Sequence, residues 1–253
     1  MIGKHYVLTG ATSGLGKSLL IALLNKHVFV TVLVRNPQKL NGILAQYGTK
    51  QLSVVQCDLQ SQEQILRLKD YFQGKSIDGL IYSSGLGYFK SVDQHSVDEM
   101  LETYKLNVVH FNLLLTTIQP YLSAYPTIVG IGSQSAFLTQ AYAAHYGASK
   151  AAFNHVLNAL RIEKPNYHIL TVNTGPIATP FHEKADPSLV FAQKYKNIML
   201  HPDKLANQII DSMIFAKTEI NEPKWMYYTL KLYNLAPRII EKRFTKLFKN
   251  KVL

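Results

Sequence analysis

The sequence predicts an α/β protein: a doubly wound parallel sheet in three layers, with helices on both faces, followed by a helical extension. Three observations carry this reading. Strand-like and helix-like segments alternate from the first residues. The strands read as near-continuous apolar runs, as strands buried on both faces do. A glycine-rich turn joins the first strand to the first helix. In order, residues 5–9 read as strand, 15–25 as helix and 28–34 as a second strand. Pro37 opens the next helix, where its missing N–H is no loss. Strand 51–57, helix 62–72, strand 79–82, a long helix over 97–121, strand 127–131, a helix over 140–161 and strand 168–172 follow. Ligands of such sheets sit at the carboxyl ends of the strands, and every motif below falls at such an end.

Composition narrows the class. A chain of 253 residues, 47% hydrophobic and 17% charged, is long enough and apolar enough to bury a sizeable core. The single Cys57 excludes an internal disulfide framework; at the end of an apolar run it reads as a buried structural thiol in a reducing compartment. No run reaches the ~18 apolar residues of a membrane span, and the N-terminus enters a strand directly, so a cytoplasmic protein is expected. The histidines show no metal-ligand spacing, so no metal is expected. The net charge of +11 is concentrated late: Lys224, Lys231, Arg238, Lys242, Arg243, Lys246, Lys249 and Lys251 stand against one acid, Glu241. No nucleic-acid module accompanies that patch, so nucleic acid is not an expected partner.

The loop after the first strand reads Thr9-Gly10-Ala11-Thr12-Ser13-Gly14-Leu15-Gly16. Its glycines permit a tight turn and close approach to a pyrophosphate lying on the N-terminus of the next helix. In a dinucleotide site the second strand ends near a carboxylate that holds the ribose hydroxyls. Here it ends Val34-Arg35, and a guanidinium there suits a 2′-phosphate by charge and fork geometry. NADP(H) is therefore the expected cofactor. Asp58, after the third strand, is available to an adenine edge and equally suited to cap the next helix.

Tyr146 and Lys150 stand four residues apart, on one face of a predicted helix. A phenol titrates near pH ~10, and a nearby cation lowers that value, which makes a tyrosine usable in proton transfer. Tyr-x-x-x-Lys also arises by chance, so the pair gains meaning only from its company.

Together these residues resemble the short-chain dehydrogenase/reductase family over about residues 3–217. The resemblance implies a Rossmann-like fold. Gly10, Gly14 and Gly16 match its Thr-Gly-x-x-x-Gly-x-Gly loop, Tyr146 and Lys150 its catalytic pair, and Ser133 its serine, 13 residues before the tyrosine. Asn107 falls where the family anchors a proton-relay water, and residues 173–179 resemble the segment that lines the nicotinamide. By that resemblance Tyr146 exchanges a proton with the substrate oxygen, Lys150 binds the nicotinamide ribose and depresses the Tyr146 pKa, and Ser133 holds the reacting oxygen. Thr12, Ser13, Leu15, Leu59, Ser83, Ser84, Gly85, Gly175, Pro176, Ile177 and Thr179 join the expected cofactor-binding set.

The pattern departs from the family in three places. Ser83-Ser84-Gly85 replaces Asn-Ala-Gly, Thr174 replaces a proline, and the final strand with its Asp-Gly-Gly ending is missing, with residues 219–223 at best a stub. Small residues on the catalytic helix, including Ala143, Ala144, Gly147 and Ala148, allow close packing in a homodimer, and core packing explains them equally. Phe181, Phe191, Tyr195 and Met199 form an apolar stripe in the substrate-lid region, with Tyr88, Phe89, Phe137 and Tyr142 at the same end. An aromatic pocket and ordinary core are both consistent with these. No Arg or Lys is an evident substrate clamp, and His145 reads as structural or as pocket wall.

Residues 1–222 thus read as one catalytic domain and 223–253 as a basic amphipathic helical tail. In the tail Trp225, Tyr228, Leu232 and Leu235 fall at helical spacing; Ile240, Phe244, Leu247, Phe248 and Val252 form a second apolar face opposite Lys242, Arg243, Lys246 and Lys249. That face either packs on the domain or a second subunit, or meets an anionic membrane peripherally. The expected function is NADP(H)-dependent interconversion of an apolar carbonyl compound and its alcohol, more a reductase than a dehydrogenase. The rival is an NADPH-responsive binding protein on a membrane or partner.

Overall fold

The computed structural model describes residues 1–248. Seven strands form one parallel sheet: β1 (His5–Thr9), β2 (Phe29–Val34), β3 (Leu52–Gln56), β4 (Ile77–Tyr82), β5 (Leu122–Ile131), β6 (His168–Thr174) and β7 (Glu219–Glu222), in the order β3-β2-β1-β4-β5-β6-β7. The helices are α1 (Gly14–Asn25), α2 (Asn41–Tyr47), α3 (Gln62–Phe72), α4 (Val97–Tyr104), α5 (His110–Ile118), α6 (Ala144–Glu163), α7 (Phe181–Ala185), α8 (Val190–Tyr195), α9 (Pro202–Ile214), α10 (Lys224–Tyr233), α11 (Pro237–Arg243) and α12 (Thr245–Phe248). The order reverses between β1 and β4, and at that reversal the strand ends diverge into a cleft.

Two cores sandwich the sheet, as its two-sided apolar strands require. On one face Leu19, Leu20 and Leu23 of α1 meet Ile209 and Ile210 of α9 over Leu8 and Val32. On the other, Leu68 and Phe72 of α3, Phe111 and Leu114 of α5, and Phe153 and Leu157 of α6 cover Leu80 and Ile128. Each large side chain buried this way contributes about 1.5–3 kcal/mol.

Three expectations need correction. The helix over 97–121 is segmented: Ser96 and Glu99 form a capping box at the start of α4, and a π turn at Lys105–Val109 separates it from α5. The helix carrying Tyr146 and Lys150 begins at Ala144 rather than 140, because Gln134–Phe137 form a 3-10 turn and Tyr142 adopts a left-handed φ of 62°. The final strand exists. Residues Glu219–Glu222 pair with Thr171–Thr174 of β6, so the edge of the sheet is complete although its usual ending motif is absent.

The tail forms helices as expected, and the residues at helical spacing in the first of them lie on its exposed side. Leu230 and Tyr233 are buried, whereas Trp225, Tyr228, Leu232 and Leu235 face outward. Both faces of α10 are apolar, so spacing alone could not select the packed one. The tail is pinned to the loop after β5. The Tyr233 hydroxyl accepts the Thr139 N–H (3.2 Å) and donates to Glu241 (2.5 Å), while Asn234 donates to the Phe137 carbonyl (2.8 Å). The side chains of Lys246 and Leu247, together with Lys249, Lys251 and Val252, lie outside the described residues.

Candidate active site

The cleft has a volume of 490 Å³ and runs from the glycine loop to the tail. At its first end the backbone itself forms the wall. Gly10 has φ +72°, and a Cβ on Gly16 would stand 2.2 Å from the Gly10 carbonyl oxygen, so the turn tolerates no side chain there. The Thr9 hydroxyl accepts N–H groups from Ser83 and Ser84 (3.1 Å each), which fixes the end of β4 beside this loop. Ser13 is the N-cap of α1, yet its side chain makes no capping bond and the first turn holds no acid. The helix thus presents free N–H groups and a positive dipole end to the cleft, a cradle suited to a pyrophosphate. From the far side, the Thr179 side chain closes over Gly14.

Arg35 lies exposed at the end of β2 and lines the cleft. Its neighbour Asn36 is engaged in capping, accepting the Gln38 N–H (3.0 Å). Asp58 also lines the cleft, and the helix-cap alternative for it is corrected: Ser61 caps α3, while the Asp58 carboxylate accepts the Gln60 N–H (3.0 Å) in a local turn. Leu59, Ser83, Ser84, Gly85, Gly175, Pro176 and Ile177 line the same space, as do Thr12 and Leu15.

Ser133, Tyr146 and Lys150 converge at the other end, at the carboxyl end of β5 and the first turns of α6. The Tyr146 hydroxyl pairs with that of Ser133, and the Ser133 Oγ also accepts the Ser135 N–H (3.1 Å), which orients it. Lys150 is buried and donates from Nζ to the Ile131 carbonyl (2.9 Å). Burial lowers its pKa to about 8. The expectation that Lys150 depresses the Tyr146 pKa is not met in this geometry. Burial raises the phenol above its ordinary value, and the Ser133 hydroxyl is the group that opposes the rise. The ammonium lies 6.0 Å from the tyrosine ring centre and is committed to Ile131.

Asn107 is the one expected site residue that does not line the cleft. It sits buried on the π turn. Its Oδ1 accepts the Leu86 N–H (3.0 Å), and its Nδ2 donates to the Leu86 carbonyl (2.8 Å) and to Ser149 Oγ (2.9 Å). The amide therefore clamps the loop after β4 onto α6. Gly87, which the sequence reading passed over, completes that loop. A Cβ there would stand 2.6 Å from Tyr146 Cδ2, so the bare backbone is what seats the phenol ring. The Gly85-Leu86-Gly87 repeat was the available signal.

The substrate end is built from side chains. Of the aromatic residues that suited either a pocket or ordinary core, Phe89, Phe181, Phe191 and Tyr195 do both: they pack together in one cluster and line the cleft, with the Phe89 and Phe181 rings 5.8 and 5.4 Å from that of Tyr146. Tyr88, Phe137, Tyr142 and Met199 do not line it: Tyr88 turns to Glu102 (2.7 Å) and Phe137 packs on Tyr227. His145 also lies off the cleft, against His95 (4.7 Å), with its pKa lowered mainly by burial. Met226, Leu230 and Phe248 of the tail, and His182, form walls that the sequence reading did not assign. Lys184, exposed on α7, is the only cation lining the cleft besides Arg35 and Lys150 among the described residues. Cys57 is buried, and burial pushes its thiol up to about 11, in keeping with an inert structural residue. No cluster of metal-ligating side chains and no helix long and apolar enough to cross a membrane occurs among the described residues.

A glycine cradle at a helix N-terminus, joined by one cleft to a Ser–Tyr–Lys cluster, defines an oxidoreductase acting on CH–OH and C=O groups. The family described as short chain dehydrogenase matches residues 4–189, and the chain belongs to that family. A relative, 11-beta-hydroxysteroid dehydrogenase A of Sesamum indicum, is 23% identical over 94% of this chain and 74% of its own length. The fold resembles a short chain dehydrogenase/reductase of Burkholderia phymatum solved in complex with NAD (TM-score 0.83, 17% identity, covering 94% of this chain and 95% of that one). It also resembles a short-chain dehydrogenase of Sphingobium yanoikuyae solved in complex with NADPH (TM-score 0.78, 17% identity, the same coverage).

Proposed function

We propose that the chain is an NADPH-dependent reductase of apolar aldehydes or ketones. The observation that carries the proposal is the Ser133–Tyr146 hydroxyl pair at the floor of an aromatic cleft. A phenol held above its ordinary pKa stays protonated at neutral pH, so it is ready to donate to a carbonyl oxygen. Ser133 supplies a second donor to the same oxygen and holds it beside the phenol. Lys150 replenishes charge and hydrogen bonding below: its ammonium, freed from Ile131, suits the hydroxyls of a nicotinamide ribose. A bound nicotinamide cofactor supplies the hydride; the chain supplies the cradle, the orientation and the proton. Phe89, Phe181, Phe191, Met226 and Leu230 exclude water and favour an apolar substrate.

Arg35 supports NADP(H) over NAD(H). It reaches the cleft where a ribose carboxylate partner would otherwise stand, and no acid replaces it at Val34 or Asn36. The likeness to chains solved with NAD and with NADPH does not choose between the two. Steady-state kinetics of the wild type and Arg35→Asp with both cofactors, against a panel of apolar carbonyls, test this. The wild type prefers NADPH, and the variant loses that preference by about tenfold or more. A wild type that uses NADH equally well would overturn the cofactor assignment.

A further inference from the structure

The exposed residues of the tail do not behave like an ordinary solvated surface. Trp225, Tyr228 and Leu232 share one outward face of α10, Leu235 follows just after it, and Ile239 of α11 and Phe244 at its end are also outward; all six are between 51% and 82% exposed. Scattered apolar side chains are normal on a protein, but six large ones along two consecutive short helices make a surface that water does not favour. The inner face of the same tail is already occupied: Met226 and Leu230 line the cleft, and Tyr233 is anchored at Thr139 and Glu241. Folding the tail back to hide the outer face would therefore strip the wall from the cleft.

The charges around this face identify what covers it. Lys224, Lys231, Arg238, Lys242 and Arg243 are exposed beside it. Among them only Arg238 forms a salt bridge, with Glu241 (2.6 Å). Glu241, the tail's one acid, is held near 2 by Tyr233, Thr139 and Arg238, and is bound inward by them. The tail itself thus carries exposed cations and no unengaged acid, although Lys231 lies over the Tyr227 ring (4.7 Å) and within the influence of the exposed Glu219 on β7. Two copies meeting through it would oppose like charges. An anionic lipid surface is complementary, with Trp and Tyr at headgroup level and the aliphatic side chains below.

We infer that the outer face of α10 and α11 docks the protein peripherally on an anionic membrane, with the cleft wall on the reverse of the same helix facing a lipid-dissolved substrate. The docking stands on the exposed face alone. The substrate half rests on the carbonyl-reductase reading above and makes the substrate a carbonyl compound that partitions into the bilayer. Met226 and Leu230 are one turn apart on the helix whose other side would meet lipid, so one helix separates the proposed docking face from the cleft that holds Tyr146.

The test uses the full chain with vesicles of neutral phosphatidylcholine, with and without 30% phosphatidylserine (a chosen composition, roughly that of anionic leaflets). Two variants leave the cleft intact: Trp225→Ser/Leu232→Ser/Leu235→Ser/Ile239→Ser, and Lys224→Glu/Lys231→Glu/Lys242→Glu/Arg243→Glu. The wild type floats with the anionic vesicles and is largely released by high salt, and each variant loses at least about tenfold of the bound fraction. Turnover of a short, water-soluble aldehyde stays unchanged in both variants, which reports an intact fold. Turnover of a long-chain aldehyde delivered in vesicles falls with the loss of binding. Absence of wild-type flotation, or equal flotation of all three proteins, overturns the docking. A wild-type dimer in solution that the serine variant dissolves, without effect on vesicles, assigns the face to a second copy instead. Flotation without turnover of any carbonyl overturns the reductase reading and leaves the docking in place.

Discussion

The two ends of the cleft are made of different material. Around Gly10, Gly14 and Gly16 the wall is backbone, held so closely that a single added carbon on Gly16 would strike the Gly10 carbonyl. Around Phe89, Phe181, Phe191, Met226 and Leu230 the wall is side chain, carried on short helices and on a tail. The first end can be built in very few ways and forces residue identity. The second asks only for apolar bulk in roughly the right place. A family can therefore keep one cofactor end while its substrate end varies.

The largest predicted effect belongs to the backbone end. Gly16→Val should weaken NADPH binding by about 100-fold or more, measured by fluorescence titration, with the melting temperature checked alongside. Retained binding would break the contrast at its root. Gly87→Ala, which pushes on the Tyr146 ring rather than on the cofactor, should lower kcat by about tenfold to 100-fold while leaving NADPH affinity near wild type. A change in affinity alone would place Gly87 at the other end of the cleft.

The pH profile sharpens the same division. The Lys150 pKa is lowered by burial to about 8, so its ammonium is present below that pH and discharges as pH rises through it. With NADPH as the varied substrate, kcat/KM should fall above about pH 8, and Lys150→Arg, if it binds cofactor, should carry the fall to higher pH. The smallest effect is expected at the side-chain end. Leu230→Ala should raise KM for a long apolar carbonyl by roughly tenfold and leave a short one unchanged, as measured by steady-state kinetics.

The same contrast explains what could be read from the sequence. The sheet and the glycine loop were legible because backbone geometry dictates those residue types at those spacings, and Tyr146 with Lys150 because helical spacing puts them on one face; Ser133 was legible only through the family resemblance, and the structure brings it to the same cleft. The structure places Arg35, expected from its position at the end of β2, exposed at the rim of the cleft. Gly87 was missed because its constraint, contact with a ring 59 positions later, is not local. The packed side of α10 could not be read from the sequence, because Trp225 and Leu232 are as apolar as Met226 and Leu230 and hydrophobic spacing cannot rank two apolar faces. The final strand was discounted for want of its usual ending, although four residues pairing with β6 suffice to make it. The effect of Lys150 on Tyr146 was carried over from the family's pattern, whereas in this geometry the ammonium is committed to Ile131.

The most direct measurement compares wild type and Tyr146→Phe for NADPH oxidation with an apolar aldehyde and, separately, for NADPH binding. Loss of the phenolic proton should reduce kcat by about 10²–10⁴-fold while the cofactor still binds, because the cradle lies at the other end of the cleft. Turnover that survives the substitution would contradict Tyr146 as the proton donor and with it the assignment of the site.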